Sequence, residues 1–347
     1  MGLLMTRIVS YNILAGGYAM RKAEIHRSTP LIKMLRSAQP DVVGVVEAIH
    51  PKIRQTPTIL EELAGELGMQ VVTGGDSVHY KGYQLALLTR LPIVTTKIHE
   101  RPGVLARPLL EVCVEEEHGA HLTIFVAHLS AAFDRRWAGA DLRSREVAEI
   151  LLITAPFRTE GKPHLVMGDF NSLAPGDAFK ASSLLRYIVQ LDQKPDGTVH
   201  DGHPNFNVVV PRRLRFLQPL LNLVAGSDVL SSLFDILAHL YAPRGCIRNL
   251  KRLYVDSYRH VHPHEQGFTC PAAAPAGRID YIFASPLLAE RLTDCDVLQM
   301  GEDGITGDMA SDHLPILAEF GLGVVPGATD AARGEEACLL PDNALVD

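Results

Sequence analysis

The chain has 347 residues, of which 47% are hydrophobic, so it can bury a large core. Its formal net charge is −7 and its pI is near 6.1, which argues against a non-specific duplex binder held by a general positive field. The five scattered cysteines include no CxxC pair, so they indicate neither a disulfide framework nor a thiolate zinc site, and they favour a reducing, cytoplasmic compartment. We expect no secretory signal and, because no run of 18 apolar residues occurs, no membrane span.

Short runs rich in β-branched residues predict eight strands along the chain. These strands are Arg7–Ile13, Asp41–Val46, Gln84–Leu88, Leu109–Val114, Leu122–Ala127, Leu165–Met167, Ile279–Ala284 and Leu314–Phe320. Helical periodicity lies between them, as at Thr29–Ala38, Thr58–Leu67 and Gly139–Leu152. This alternation predicts a layered α/β or α+β sandwich.

Two regions depart from this pattern. Residues 197–252 lack clear strands and carry Leu, Val and Ile at helical spacing, which predicts two amphipathic helices. Residues 322–347 are rich in Gly, Ala and acidic residues, which predicts a weakly structured tail after a domain of residues 1–321.

Residues of metal-ligand or acid–base type stand at the ends of most predicted strands. They are Asn12, Glu47, His128, Asp169 with Asn171, Asp280, and the pair Asp312–His313. Any one of them alone is more often a cap, a turn residue or a structural histidine. Because six sites in one chain follow the same rule, we predict that these side chains converge in one pocket, provided that the strand ends share one edge of the sandwich.

The stretch HLVMGDFNSL, residues 164–173, illustrates the rule. Residues two positions apart in extended chain project to the same side, so Asp169 and Asn171 would point together beyond the strand. Gly-Asp and Asn-Ser are also ordinary turn sequences, so the stretch by itself predicts a strand followed by a turn.

The chemistry of this set is consistent with phosphate ester hydrolysis. Carboxylates with amide and imidazole neighbours form an oxygen-rich site that suits Mg²⁺ or Mn²⁺. Asp169 beside Asn171 can hold and deprotonate a water molecule. A histidine braced by an acid can stabilise the phosphoryl oxygens in the transition state.

The motifs of the chain resemble those of the endonuclease/exonuclease/phosphatase superfamily, the DNase I-like fold. They are SYN, VVEA, VAHLS, GDFNS, VDSYR, RIDYIF and SDHLPI, in this order from Arg7 to about Phe320, with lesser matches in LLTRLPI at 87–93 and GFTCP at 267–271. The resemblance implies a four-layer α/β/β/α sandwich of two packed mixed β-sheets with a helical insertion at 197–252. It also implies a metal-dependent hydrolase of phosphoric esters.

The resemblance further implies a metal site. Glu47 would be the principal ligand of Mg²⁺ or Mn²⁺, with Asn12 and Asp312 close by. Asp169 would activate or orient the nucleophilic water.

The remaining residues would act on the substrate by the same resemblance. Asn171 would contact the phosphate or position Asp169. His313, paired with Asp280, would bind the scissile phosphate and help to stabilise the transition state. His128 would contact the phosphate or protonate the leaving group.

Departures from the superfamily pattern point to a branch. Val46-Glu47 stands where many members have Gln-Glu. His128 stands where abasic-site endonucleases typically place a tyrosine-bearing segment, which favours the branch with DNase I, deadenylases, sphingomyelinases and phosphoinositide phosphatases. GDFNS is not the GDLNYR of inositol 5-phosphatases, and their tryptophan-containing motif is missing, so the chain is most similar to deadenylase-like and uncharacterised bacterial members.

The predicted activity is phosphodiester hydrolysis, with nucleic acid among the candidate substrates, by a monomer. One alternative is a phosphomonoesterase acting on a phosphorylated sugar, nucleotide or lipid head group. A second is a catalytically silent module that binds phosphate and a partner, and a third is a membrane-associated lipid phosphodiesterase.

The insertion at 197–252 has several interpretations: a lid, a partner surface, or an element for peripheral lipid contact through residues 213–240. Its basic residues could meet phosphates; they are Arg212, Arg213, Arg215, Arg244, Arg248, Lys251 and Arg252. The favoured interpretation is that its apolar face packs on the sandwich. The histidines of RHVHPHEQG (His260, His262, His264) and of HDGH at 200–203 are interpreted as solvated loops, because Pro263 interrupts regular helical spacing.

Overall fold

The computed structural model describes residues 5–19, 26–50, 58–75, 85–131, 137–192, 216 and 218–322. The predicted tail from residue 323 onward and the HDGH stretch lie outside the described residues. In chain order the strands are β1 (Met5–Asn12), β2 (Val42–Val46), β3 (Gln70–Thr73), β4 (Ala86–Thr89), β5 (Ile93–His99), β6 (Leu109–Glu115), β7 (His121–His128), β8 (His164–Asp169), β9 (Val255–Asp256), β10 (Asp280–Ala284), β11 (Leu292–Val297) and β12 (Ile316–Gly321).

Helices connect these strands. In chain order they are α1 (Ser28–Ala38), α2 (Thr58–Leu67), α3 (Trp137–Ile153), α4 (Ala155–Thr159), α5 (Ala181–Asp192), α6 (Gln218–Gly226), α7 (Asp228–Tyr241), α8 (Gly245–Leu250), α9 (Ser257–Val261), α10 (Pro286–Ala289) and α11 (Gly307–Ala310). Short 3₁₀ turns lie at Ala15–Gly17, Glu117–Gly119 and Glu302–Gly304.

The strands form two mixed sheets of six strands each. The first sheet has the order β11-β12-β1-β2-β4-β3 and the second has the order β5-β6-β7-β8-β10-β9. Each sheet contains one parallel pair at its centre, β1 with β2 and β7 with β8, and the other pairs are antiparallel. The predicted pair of packed mixed sheets is confirmed.

The core is divided into three apolar layers. The middle layer joins the inner faces of the two sheets, for example through Ile8, Val126 and Met167. A second layer packs α1 and α2 on the first sheet, and a third packs α3 and α8 on the second sheet. These layers give the four-layer α/β/β/α sandwich.

All eight predicted strands are present, with ends within two residues of those predicted. The four strands that the sequence does not predict, β3, β5, β9 and β11, are the four edge strands of the two sheets. Edge strands bury little, so they lack the apolar run that marks the central strands. The residues of β5, for instance, are mostly exposed.

The helices of the predicted insertion are present at α6, α7 and α8, but α6 and α7 do not pack on the sandwich as predicted. They contact α5 and each other, and their large apolar side chains are mostly exposed. On α7 the inward side is mixed: half-buried Leu230 and Phe234 lie beside Asp235, which accepts hydrogen bonds from Ser182 on α5. Within the described ranges, no single helix has the length and apolar composition to cross a membrane, and only the bent pair α6–α7 meets both criteria when its two helices are taken together.

Candidate active site

Three predicted site residues stand side by side on neighbouring strands of the second sheet. His128 at the end of β7 is paired in register with Asp169 at the end of β8, and Asp169 is paired with Asp280 at the start of β10. Because β7 and β8 are parallel and β10 runs antiparallel to β8, all three side chains reach the same edge of the sheet. All three residues are buried.

Gly168 allows this close arrangement. The sequence predicts that β8 breaks at this glycine, whereas the strand continues through it to Asp169. Its φ is +136°, and a Cβ atom there would lie 1.9 Å from the carbonyl oxygen of Ala127 on β7. Only glycine permits this approach of the two backbones. The glycine of GDFN therefore sets the position of the aspartate that follows it.

The first sheet supplies Asn12 and Glu47 to the same edge. Asn12 ends β1, opposite Val46 at the end of the parallel strand β2, and Glu47 follows directly. Glu47 has a left-handed φ of +56°, which a non-glycine residue adopts only when its surroundings hold it there. Its carboxylate accepts a hydrogen bond from the backbone N–H of Ala15 at 3.1 Å.

Asn12 lies at the centre of the site. Its Nδ2 atom is 3.4 Å from Oε1 of Glu47, 3.2 Å from Oδ2 of Asp169 and 3.5 Å from Nε2 of His313. Its Oδ1 accepts a hydrogen bond from the backbone N–H of Leu14 at 3.0 Å, so the amide is fixed in orientation. One amide thus links residues from both sheets.

Asp169 and Asn171 do not project in parallel as an extended chain would have it. Asn171 has a left-handed φ of +47°, and its backbone N–H donates to Oδ1 of Asp169 at 2.8 Å. Its side chain donates to the carbonyl oxygen of Leu129 at 2.9 Å. The predicted turn after the strand is present. This turn fixes one oxygen of Asp169 and leaves Oδ2 facing the pocket, 3.6 Å from Nε2 of His128.

His313 is braced by an acid, as the sequence predicts. Its Nδ1 lies 2.8 Å from Oδ2 of Asp280, and its Nε2 is 3.9 Å from Oδ2 of Asp169. Burial disfavours the charged imidazolium, but Asp280, together with Cys270 and Asp312, outweighs it, so the pKa of His313 lies well above its ordinary value. His313 therefore presents a cationic N–H to the pocket.

His128 is held in the opposite state. Burial, followed by the positive charges of Arg107 and His313, lowers the pKa of His128 well below its ordinary value. Its Nδ1 has no hydrogen-bond partner among the described residues. A neutral histidine can still donate one N–H to a phosphoryl oxygen.

The acidic residues of the pocket are strained electrostatically. Burial and then Asp280 raise the pKa of Asp169 to about 7. Burial and then Asp312 raise the pKa of Glu47. Carboxylates that raise one another's pKa are suited to a divalent cation, which offsets both charges, and their oxygen atoms match the preference of Mg²⁺ and Mn²⁺. The residues present therefore fit a divalent metal.

Two groups in the described residues have the spacing of metal ligands. One is Asp169, Asp280 and His313 in the pocket. The other is His262, Asp294 and Asp296, which lies outside the pocket. His262 is not the solvated loop residue that the sequence predicts: it follows α9, packs against the ring of Tyr258 and lies 3.0 Å from Asp296. The other histidines of that loop, His260 and His264, join neither group.

Sequence reasoning missed residues that hold the site in place. Ser311 donates to the carbonyl oxygen of Asn12 at 2.7 Å and accepts from the N–H of His313. The hydroxyl of Thr269 accepts from the backbone N–H of Asp280 at 3.3 Å. The neighbouring Cys270 contacts His313, and burial raises the pKa of its thiol to about 11. Their only signal was their position inside the SDHLPI and GFTCP motifs.

A buried ion network also escaped the sequence analysis. Arg278 is fully buried and binds both carboxylate oxygens of Asp256, at 2.6 and 2.7 Å, and Oδ2 of Asp177 at 2.8 Å. Arg259 binds the other oxygen of Asp177 at 2.9 Å. This network fixes the loop that follows Asn171. The charges of VDSYR and RIDYIF were visible in the sequence, but their pairing was not.

The sequence of residues 9–313 matches the profile of the Endonuclease/Exonuclease/phosphatase family. The chain belongs to this family. Members of the family are hydrolases that act on phosphate esters, and they typically use a divalent metal. No curated protein matches the chain.

Solved structures support the fold. An AP endonuclease from Archaeoglobus fulgidus is 18% identical, with 92% of this chain and 100% of that chain covered and a TM-score of 0.56. A humanized D. rerio TDP2 is 16% identical, with 92% and 99% covered and a TM-score of 0.54. A functionally unknown conserved protein from Enterococcus faecalis V583 is 14% identical, with 91% and 100% covered and a TM-score of 0.55. These identities show the shared DNase I-like fold alone, so the nearness to deadenylase-like and bacterial members stays a prediction.

Proposed function

We propose that the protein is a metal-dependent phosphodiesterase that hydrolyses a phosphate diester by in-line attack of water. The observation that supports this most strongly is the convergence on Asn12 of a metal-type carboxylate, Glu47, and a water-activating carboxylate, Asp169, beside the braced His313. These three groups supply what phosphoester hydrolysis needs: charge neutralisation, an oriented nucleophile and stabilisation of the phosphoryl oxygens.

Glu47, with Asn12 and Asp312, would hold Mg²⁺ or Mn²⁺. When bound, the metal supplies positive charge against the phosphoryl oxygens and the leaving oxygen. We favour this set over Asp169, Asp280 and His313, because Asp280 helps to keep His313 cationic and a protonated imidazole has no lone pair for a metal. The backbone contact from Ala15 holds the Glu47 carboxylate in orientation.

Asp169 would hold the attacking water on Oδ2 and accept its proton. Its other oxygen is fixed by the N–H of Asn171, and Oδ2 itself accepts from the Asn12 amide, so one lone pair of Oδ2 remains for the water. A pKa of about 7 suits a general base that works near neutral pH. Asn171 would thus act by positioning Asp169.

The two histidines would bind the phosphate. His313, kept cationic by Asp280, would donate from Nε2 to a phosphoryl oxygen. His128, kept neutral by burial and by Arg107, would donate a hydrogen bond to the phosphate or to the leaving oxygen.

A cytoplasmic location is also part of the proposal. Cys113, Cys246, Cys270 and Cys295 carry free thiols in the described part of the chain, which supports a reducing compartment.

The test is a hydrolysis assay on the full chain with Mg²⁺ or Mn²⁺, using bis-p-nitrophenyl phosphate, p-nitrophenyl phosphate, single-stranded DNA and RNA as separate substrates. The wild type is compared with Asp169→Asn, with Asp296→Asn as a matched control outside the pocket, and with an EDTA control. We expect diester turnover that Asp169→Asn and EDTA abolish and that Asp296→Asn retains. Faster hydrolysis of the monoester than of the diester would show that the protein is a phosphatase rather than a diesterase. Full turnover in Asp169→Asn would refute the assigned site.

A further inference from the structure

The α6–α7 pair, taken here as residues 216–241, exposes an apolar stripe where a surface helix usually exposes polar side chains. The inward side of α7 is mixed. Leu230 and Phe234 are half-buried there, Ser231 is buried, and the carboxylate of Asp235 accepts hydrogen bonds from the N–H and the hydroxyl of Ser182, both at 2.7 Å. The other large apolar side chains face outward. They are Val229, Leu233, Ile236, Leu237, Leu240 and Tyr241, which are 50–79% exposed. Their spacing of three and four residues puts them in one stripe along the helix.

Exposed apolar side chains are also present on α6 and at Phe216, two positions before it. Phe216, Leu220 and Leu223 are each more than half exposed. Nine of the seventeen exposed large hydrophobic residues in the described part of the chain therefore lie within these 26 positions. An apolar patch of this concentration marks an interaction surface rather than the scattered apolar exposure of an ordinary monomer.

The chain around the stripe is positively charged. Residues 212–252 hold seven Arg or Lys and two Asp, a formal net charge of +5, whereas the whole chain carries −7. Arg248 and Arg252 are exposed. Both aspartates already have partners, because Asp228 pairs with Arg186 at 2.7 Å and Asp235 binds Ser182. In the described part of this segment, Arg248 and Arg252 are thus the exposed cationic residues.

We propose that the α6–α7 pair docks the protein on an anionic lipid bilayer. An uncharged apolar stripe flanked by cations complements the acyl boundary and the anionic headgroups of such a surface. A second copy of the chain is the poorer occupant, because a twofold interface through this patch brings the same cations of both copies together.

The geometry fits a helix pair that lies in the membrane surface. The 9 residues of α6 and the 14 residues of α7 extend about 14 Å and about 21 Å, shorter than the roughly 30 Å hydrocarbon core. The chain bends by 112° between the two helices. Each helix can therefore lie along the interface with its stripe inserted.

The surface is linked to the catalytic pocket. Arg244, which follows α7, donates to the carbonyl oxygens of Ala174 and Asp177 at 3.2 and 3.3 Å. Both carbonyls belong to the loop after Asn171. Docking would therefore place this loop close to the bilayer, although the inference itself does not depend on the proposed hydrolysis.

The test is cosedimentation of the full chain with sucrose-loaded vesicles of phosphatidylcholine, or of phosphatidylcholine and phosphatidylserine at about 3:1. The wild type is compared with Leu233→Glu/Leu237→Glu and with the control Leu152→Glu/Met300→Glu, which adds the same charge at exposed apolar positions elsewhere. We expect the wild type to bind the anionic vesicles, the first variant to bind at least about tenfold more weakly, and the control to bind within about twofold of the wild type. Melting temperatures of all three proteins check that they are folded.

A second variant, Arg248→Glu/Arg252→Glu, separates charge from apolar contact. It is expected to lose affinity for the anionic vesicles at low salt and to show a weaker salt dependence than the wild type. The proposal is overturned if the wild type does not bind anionic vesicles, or if Leu233→Glu/Leu237→Glu binds them as tightly as the wild type does. It is also overturned if light scattering shows that the wild type is a dimer without vesicle binding and that Leu233→Glu/Leu237→Glu is a monomer. Hydrolysis of the soluble diester reports the proposed function separately, because the stripe lies outside the pocket.

Discussion

The active-site pocket and the α6–α7 pair both depart from the usual distribution of residues, and they do so in opposite directions. The pocket buries Asn12, Asp169 and Asp280, which are polar or charged, whereas the pair exposes leucines such as Leu233 and Leu237. Folding alone favours neither arrangement. Burial of a charged group costs free energy, and an exposed leucine does not contribute the stabilisation that its burial would give. Sites that break the rules of stability in this way are where function is to be sought.

The two regions also differ in what holds them. The pocket is fixed by strand register, with His128, Asp169 and Asp280 paired across three neighbouring strands. The α6–α7 pair rests on α5, in part through polar contacts such as that of Asp235 with Ser182. The side chains of the pocket therefore have fixed relative positions, whereas the α6–α7 pair leaves an apolar surface exposed.

The largest expected effect is on catalysis in the pocket. His313→Ala removes the cationic donor next to Asp169, so we expect turnover of a soluble diester to fall by up to about 10⁴-fold. Steady-state kinetics measure this, with His262→Ala as the matched control outside the pocket. Retention of most of the turnover by His313→Ala would break the assignment of the braced histidine.

A smaller effect is expected on the stability of the loop that supports the pocket. Arg278→Ala leaves Asp177 and Asp256 buried without their shared cation, which should lower the free energy of unfolding by about 3–5 kcal/mol. Denaturant titration measures it. Arg186→Ala removes an ion pair with the exposed Asp228, the first residue of α7, and should change the free energy of unfolding by less than about 1 kcal/mol.

The pH dependence of the stability of the metal-free protein tests whether burial and Asp280 raise the pKa of Asp169. Its pKa is raised to about 7 in the folded state and is near 3.8 when unfolded, so between these values the folded state holds more protons than the unfolded state. Stability from this group is therefore lost as pH rises from about 4 to about 7, by an amount on the order of a few kcal/mol or less. In EDTA, Asp169→Asn should lack this loss and unfold at a higher temperature than the wild type at pH 8. An equal pH dependence of the two proteins would contradict the raised pKa.

The smallest effect is expected in the exposed stripe. Leu237→Ala should change the free energy of unfolding by less than about 0.5 kcal/mol, because the side chain is already half exposed. The matched control, Leu110→Ala in the core between the sheets, should cost about 2–5 kcal/mol. A large loss in Leu237→Ala would mean that the stripe is covered within the protein and would remove the basis for docking.

The sequence predicts the central strands and the convergence of the strand-end residues because both depend on local patterns. An apolar run followed by Asp169 or Glu47 is visible in one dimension, and parallel strands necessarily bring such ends to one edge. The central position of Asn12 and the left-handed turn at Asn171 could not be predicted, since both depend on contacts between the two sheets or on one backbone dihedral.

The polarity of α7 could not be predicted for a different reason. The helical spacing of its leucines is a clear signal of an apolar stripe, and an apolar stripe normally faces the core. Its inward side carries Asp235, whose partner Ser182 lies 53 residues earlier in the chain, and the half-buried Leu230 and Phe234. Contacts with such distant parts of the chain are not visible in the sequence of the helix itself.

The most direct test of the central claim is the Mn²⁺ concentration dependence of diester hydrolysis by the wild type, Glu47→Ala and His262→Ala. Glu47→Ala removes the proposed principal metal ligand of the pocket, and His262→Ala removes a member of the group of possible ligands outside it. We predict that Glu47→Ala raises the Mn²⁺ concentration needed for half-maximal activity by at least about tenfold, and that His262→Ala leaves it unchanged. An unchanged requirement in Glu47→Ala, or a raised one in His262→Ala, would contradict a metal-dependent phosphoesterase centred on this pocket.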